Sequence, residues 1–355
     1  MKRLLAIATI LYFAATVSAQ EALKSTEEEY YDFLSLTGKA ERPTLGYRTL
    51  SDSEWIVSDE NHVWSENNLG TKYSLYENEN PTDNFFMRGV DQSVKVKIYG
   101  PEWFNSYNTA APYGQNDGAL WQGKGYNTSF TAGARLEAYG LELTFKPQLS
   151  YSQNKEFDLM DNSAYYSNPY AYIWGYGNNV GADAPQRFGD SSFWTYDWGD
   201  TEIRYTWHNF TVGAGTQSIW LGPAWLNPVL HSNNAATYPK VDVGLRKTEI
   251  YMPFFGWDLG AIEGRVWTGY LSESEYFDDD SSNDHNMIHG LSMSYAPSFI
   301  PGLTLTANRI ALVKWRMSNL KYIVPIHQNT YVGDTSGNGE DQKFSLCADW
   351  VFPIV

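Results

Sequence analysis

The chain has 355 residues, with 25 Lys and Arg against 41 Asp and Glu, giving a formal net charge of −16. That balance argues against nucleic acid and anionic lipid headgroups as partners held by charge, and the single cysteine, Cys347, excludes an intrachain disulfide framework. Aromatic residues make up 16% of the chain while mean hydropathy is only −0.44, a combination that suits strands alternating apolar and polar residues.

Residues 1–19 read as a secretory leader. Lys2 and Arg3 give the positive start, Leu4 to Val17 is apolar, and Val17-Ser18-Ala19 is a small-residue cleavage site. The apolar run is too short to stay in a membrane; the plain alternative is a buried N-terminal helix. No cysteine lies near the cleavage site, so lipid attachment there is not expected. From Gln20 to about Thr37 a helix is predicted. Ser25 with Glu28 fits a capping box, Tyr30, Phe33 and Leu34 have helical spacing, and Gly38 suits the end. Ser51 with Glu54, ahead of Trp55-Ile56-Val57, predicts a second short helix. Residues 58–84 are polar without a clear period. Residues 20–90 are thus expected to form a short helical and irregular periplasmic region, and 91–355 a β-barrel.

From Val94 the period becomes two. Val94, Val96 and Ile98 alternate with Lys95 and Lys97, and Phe130, Ala132, Ala134, Leu136 and Ala138 with Ser129, Thr131, Gly133, Arg135 and Glu137. After a turn at Tyr139-Gly140, Leu141, Leu143, Phe145, Pro147, Leu149 and Tyr151 face one way and Glu142, Thr144, Lys146, Gln148, Ser150 and Ser152 the other. Pro147 lacks a ladder donor, so an irregularity is expected there. Further strands are predicted at about 201–207, 210–219, 243–252, 257–272, 286–295, 303–314 and 342–352, making about ten in all.

Short links at 139–140, 208–209, 253–256 and 296–302 alternate with long ones at 100–126, 154–200, 220–242, 273–285 and 315–341. Barrels of the bacterial outer membrane sort their turns and loops in this way, whereas a secreted sandwich or solenoid has no reason to. A charge at mid-bilayer costs about 2–4 kcal/mol. The face with Lys95, Lys97, Arg135, Glu137, Glu142, Lys146, Glu202 and Arg204 is therefore expected to point into a lumen, and that with Val94, Leu143, Phe145, Ile203, Tyr205 and Trp207 to meet lipid.

Three segments resemble the Wzi-type capsule assembly family. The first is Trp220-Leu221-Gly222-Pro223 followed by Asn227 and Ser232-Asn233-Asn234-Ala235, the second Asp183 to Gly189 (DAPQRFG), and the third Glu41 to Arg48 (ERPTLGYR). The set spans Glu41 to Ala235. The resemblance implies a lectin-like outer-membrane barrel of eighteen strands, with a helical bundle at its periplasmic mouth and loops plugging its outer side, that holds capsular or exopolysaccharide at the surface of a Gram-negative cell. Leu221 stands where the family has a second Trp, which removes one stacking surface. An open row of strands leaves unpaired edges in lipid, so about ten strands imply either a smaller closed barrel or part of a longer chain.

Sugar recognition needs apolar platforms for C–H faces and amides or carboxylates for hydroxyls. The candidate binding residues are Trp220, Trp225, Asn227, Arg187, Trp194, Trp198, Asn233 and Asn234. The loop 154–200 adds Tyr165, Tyr166, Tyr170, Tyr172, Trp174, Tyr176 and Tyr196. Each has a plainer reading: the aromatics as a self-packed plug, Gly-Pro and Asn-Asn as turn chemistry, and Arg187 as a salt bridge fixing its loop. Asp278-Asp279-Asp280 with Asp284 does not fit an EF-hand spacing and reads as a solvated acidic loop. His208, His285 and His289 suggest no metal site, and no cofactor is expected. Nucleophile-elbow, zinc-protease and phosphate-loop motifs are absent, so the chain is expected to be no enzyme; paired carboxylates leave a glycosidase as a lesser alternative. The expectation is a monomeric polysaccharide-binding barrel in outer-membrane lipid, and the alternative a general or sugar-selective porin.

Overall fold

The structure is a computed structural model, and it describes residues 30, 33–48, 56–57, 73–172, 185–224, 228–277, 281, 284–324 and 341–352. The proposed leader, Asp278-Asp279-Asp280, Trp174, Tyr176, Trp225 and Asn227 lie outside these residues.

The N-terminal helix ends where the sequence places its stop. Gly38 adopts φ +72°, its N–H donates to Ser35 O (3.1 Å), and Lys39 N–H donates to Leu34 O (2.8 Å). These two bonds satisfy carbonyls that the last turn would otherwise leave bare. The second predicted helix is corrected: Ile56–Val57 is a short strand, β2, paired antiparallel with β1 (Ala40–Glu41). Two β-branched residues in sequence fit an extended chain better than a helix.

The rest is one antiparallel sheet. Its strands are β3 (Tyr73–Tyr76), β4 (Val94–Asn108), β5 (Gly125–Ala138), β6 (Leu141–Phe145), β7 (Gln148–Ser152), β8 (Phe193–Asp197), β9 (Glu202–Trp207), β10 (Phe210–Gly215), β11 (Lys240–Tyr251), β12 (Asp258–Ser272), β13 (His285–Pro297), β14 (Leu303–Lys314) and β15 (Asp341–Trp350). Neighbours run in chain order from β3 to β6, then from β9 to β15, while β7 pairs with β5 and β8. The pairs β6–β9 and β7–β8 are therefore the two halves of one long hairpin. It breaks at Pro147 on one arm, as its missing donor demands, and between Asp197 and Glu202 on the other.

Counting each broken arm once, ten long strands follow β3. The order ends at β3 and β15, and no pairing joins these ends among the described residues. Strand β4 continues to Asn108, well into the predicted 100–126 loop, past a bulge between Tyr99 and Glu102. The stretch Tyr73–Tyr76, read as polar and without period, is the strand β3.

The turns follow their residues. Tyr139-Gly140 (φ +53° and +79°) and His208-Asn209 (φ +45° and +69°) are two-residue turns with both central residues left-handed, the geometry whose twist matches that of the flanking strands.

The two faces of the sheet are opposite in character. Lys97, Arg135, Glu142, Lys146, Glu202, Arg204, Lys240, Asp242, Glu263 and Arg265 are buried, while Leu143, Phe145, Ile203, Tyr205, Val212, Val243, Met293, Leu305 and Leu346 are exposed. The charged face is the covered one. Over it lie residues 45–48 and the links 109–124, 216–224 and 228–239, whereas a 3-10 helix at Met317–Ile323 closes through Tyr322 on Met287, Ala311 and Val313 of the opposite face, where Arg309 is also buried against it. The main apolar core sits on the charged side, where Tyr47, Ile219 and Leu221 pack on Trp267, Ile288 and Ile310.

Candidate functional site

The covered face is built from cross-strand ion pairs. Arg204 donates to Asp242 (2.7 and 2.9 Å), Glu202 (3.0 Å) and Thr211 (2.9 Å), and Arg265 also reaches Asp242 (2.7 Å). Gly213 lies between Arg204 and Asp242 in register, and a Cβ there would stand 2.5 Å from the guanidinium. Arg135 holds Glu137 (2.8 Å) and Glu142 (2.6 Å). Buried charges persist only when paired in this manner.

Across this face runs a strap. The backbone N–H groups of Leu45, Gly46 and Tyr47 all donate to one Glu263 carboxylate oxygen, at 2.9, 2.8 and 3.1 Å. The Arg265 guanidinium lies 4.9 Å from the Tyr47 ring centre, and Arg48 forms two bonds to Asp200 (2.9 and 2.8 Å). Gly46 approaches the sheet so closely that a Cβ would stand 2.5 Å from the hydroxyls of Ser294 and Thr306.

Where the links 109–124, 216–224 and 228–239 meet the sheet they line a half-open cavity of about 90 Å³, bounded by Glu102, Phe104, Asn116, Asp117, Gln122, Lys146, Gln148, Asp200, Asn233 and Thr237 among others. The first and last of these links are stitched by Gly118 N–H to Asn233 O (3.0 Å) and Asn116 N–H to Asn234 Oδ1 (3.1 Å). Gln122 donates to Asp117 (2.6 Å), and Gln148 accepts from Ala119 N–H (3.2 Å) while donating to Asp117 O (3.2 Å). Burial pushes the Asp117 carboxyl above its ordinary value, against the Gln122 bond that lowers it. The Asn233 Oδ1 is out of solvent with no hydrogen-bond partner among the described residues. Beneath these links, burial and the nearby Lys240 push the His231 imidazole down to about 4.

The predicted residues divide by place. Asn233 and Asn234 meet at the cavity rim. Trp220 is 3% exposed, and its indole N–H donates to Ala224 O (2.9 Å); in this structure it packs the link rather than presenting a stacking face. Trp194 and Trp198 are 65% and 55% exposed, on the apolar face of the sheet. There Trp194 packs at a tilt against Tyr151 (5.1 Å between ring centres) and Trp198 meets Phe145 and Tyr196 edge-on. Arg187 is buried and ties its loop together, donating to Asp190 (2.9 Å) and to Asn154 O (2.8 Å). The Asp190 carboxylate hydrogen-bonds Tyr170, which holds that phenol above its ordinary value. Open clefts of about 560 Å³ lie on either side of the Arg187–Asp190 pair, with Lys155 and Glu156 lining one and Asp158 and Tyr170 the other.

Several residues that organise the site escaped the sequence reading. Glu263 and Arg265 are two apart on a strand and share the covered face, a signal that the alternation of 257–272 already contained. Asp117 and Asn154 had no such signal. Asn154 donates to the carbonyls of Phe188, Gly189 and Ser191, a role set by a loop returning from afar. Among the described residues no group of three or more His, Cys, Asp or Glu is gathered to hold a metal. Comparison of the chain with family models, curated proteins and solved structures finds no match in any of the three.

Proposed function

We propose that this chain forms the wall of an outer-membrane β-barrel that binds a surface polysaccharide on its covered face and outer loops, without catalysing a reaction. The observation that carries the reading is the inverted polarity of the sheet together with what covers its polar side. A water-soluble sheet buries its apolar face; here the apolar face is exposed outside the patch under the 3-10 helix at 317–323, and the ionised one is buried. Aliphatic residues fill the middle of the exposed face. Aromatic residues cluster at both ends of the strands: Trp207, Phe210, Tyr251, Phe255, Trp257 and Trp350 by the short turns, and Trp103, Tyr107, Tyr126, Trp194 and Trp315 by the long links. That distribution suits a hydrocarbon band between two aromatic girdles. In it Trp194 and Trp198 belong to the lipid contact, and glycan contacts fall to Asn233, Asn234 and the clefts beside Arg187.

The alternative of an open porin fits less well, because the strap at 45–48 and the links 109–124, 216–224 and 228–239 occupy the polar side with directed hydrogen bonds. Two measurements test the proposal. In planar bilayers the protein is expected to be nearly silent, and large steady conductance favours the porin. Cells lacking the protein are expected to release their surface polysaccharide, and unchanged retention overturns the binding role.

A further inference from the structure

We propose that the half-open cavity between residues 109–124 and 228–239 is a subsite for one neutral or amino sugar residue and rejects uronic acids. The inference rests on the polysaccharide-binding reading and narrows it to a residue class. Three carboxylates, Glu102, Asp117 and Asp200, line the cavity against one ammonium, Lys146, which itself lies 3.9 Å from Asp200. The Arg48 guanidinium is already committed to Asp200. A carboxylate entering this space meets an excess of its own sign in a partly dry site, whereas an ammonium or a hydroxyl meets acceptors.

The acceptors are built in. Asn233 Oδ1 is buried without a partner among the described residues, and a buried acceptor gains most from a ligand that supplies its missing proton donor. Asp117 is fixed by Gln122 through its side chain and by Gln148 through its backbone. Phe104 supplies an aromatic wall, as the C–H side of a pyranose requires. At about 10–15 Å³ of such space per water, 90 Å³ is room for several waters, hence for a small polyol that replaces them.

The test is titration of the full mature chain in detergent micelles with glucosamine, glucose and glucuronate, followed by calorimetry. Glucosamine and glucose are expected to bind, with glucuronate at least about tenfold weaker. Asp117→Asn is expected to weaken glucosamine by about tenfold, the usual consequence of losing a charged hydrogen-bond partner, and to narrow its advantage over glucuronate. Asn233→Asp is expected to strengthen glucosamine selectively, a gain that a merely structural role does not produce. Equal binding of glucuronate, no sugar binding, or affinities unmoved by both substitutions overturns the subsite. Sugar binding in this order by a protein whose loss leaves cellular polysaccharide in place upholds the cavity and overturns the anchoring role. Retention that depends on the protein, with unresponsive cavity variants, does the reverse.

Discussion

At the scale of single residues, the covered face depends on where side chains are absent as much as on where they are present. Gly213 leaves open the space through which Arg204 reaches Asp242 across an intervening strand. Gly213→Ala is expected to part that pair and lower stability by about 3 kcal/mol, the typical cost of breaking a buried ion pair. Gly264, whose Cβ would meet nothing nearer than 3.9 Å, provides the control: Gly264→Ala is expected to change stability by less than about 0.5 kcal/mol. Urea unfolding in micelles compares the two, and equal effects count against the ion-pair account. His231 makes a second prediction. Its imidazole is held neutral down to about 4 in the folded chain but titrates near 6.5 when unfolded. Between these values the unfolded state binds the extra proton, so stability falls as pH drops from about 6.5 toward 4. His231→Asn is expected to flatten that part of the stability profile, and a profile unchanged by the substitution refutes it.

Among the elements, the strap is the one with the most to lose from a small change. Three successive amides share one Glu263 oxygen, and bonds to a charged acceptor contribute about 1.5–3 kcal/mol each when intact. Glu263→Gln keeps the shape but removes the charge, so the strap is expected to open at least about tenfold more often. Trypsin cleavage at Arg48, timed by mass spectrometry, reads this directly; an unchanged rate means the sheet does not hold the strap through Glu263. The sequence announced the wall and not the strap. Alternation placed Lys97, Arg135, Glu142 and Arg204 on one face because a strand's period is fixed by backbone geometry. Pro147 marked its own break because a missing N–H is a local fact. Residues 45–47 have no period, and their place is decided by Glu263, more than 200 residues away in the chain. Trp220 illustrates the same limit: its chemistry suits a platform equally inside or outside a link, and only the fold of that link sends it inward.

Taken whole, the molecule is a sheet whose charged side is filled and whose apolar side is bare outside the patch under the 3-10 helix at 317–323, and this difference sets the strongest test of where it resides. In water, an arginine replacing Leu143 would solvate itself on an exposed surface at little cost. In a bilayer the same guanidinium would lie on the lipid side of β6, where mid-plane burial costs about 2–4 kcal/mol. Leu143→Arg is therefore expected to destabilise the protein refolded in lipid vesicles by that amount. Asn209→Lys, placed at the two-residue turn near the short-turn girdle, is expected to cost about 1 kcal/mol or less. Leu143 is exposed on this face, beside Leu136 and Ile203 of the neighbouring strands, so an arginine there has room to extend away from the sheet. A penalty for Leu143→Arg that is present in vesicles and vanishes in water-filled assemblies locates the face in hydrocarbon. A penalty near zero in vesicles means that lipid does not cover this face, and the barrel reading fails with it.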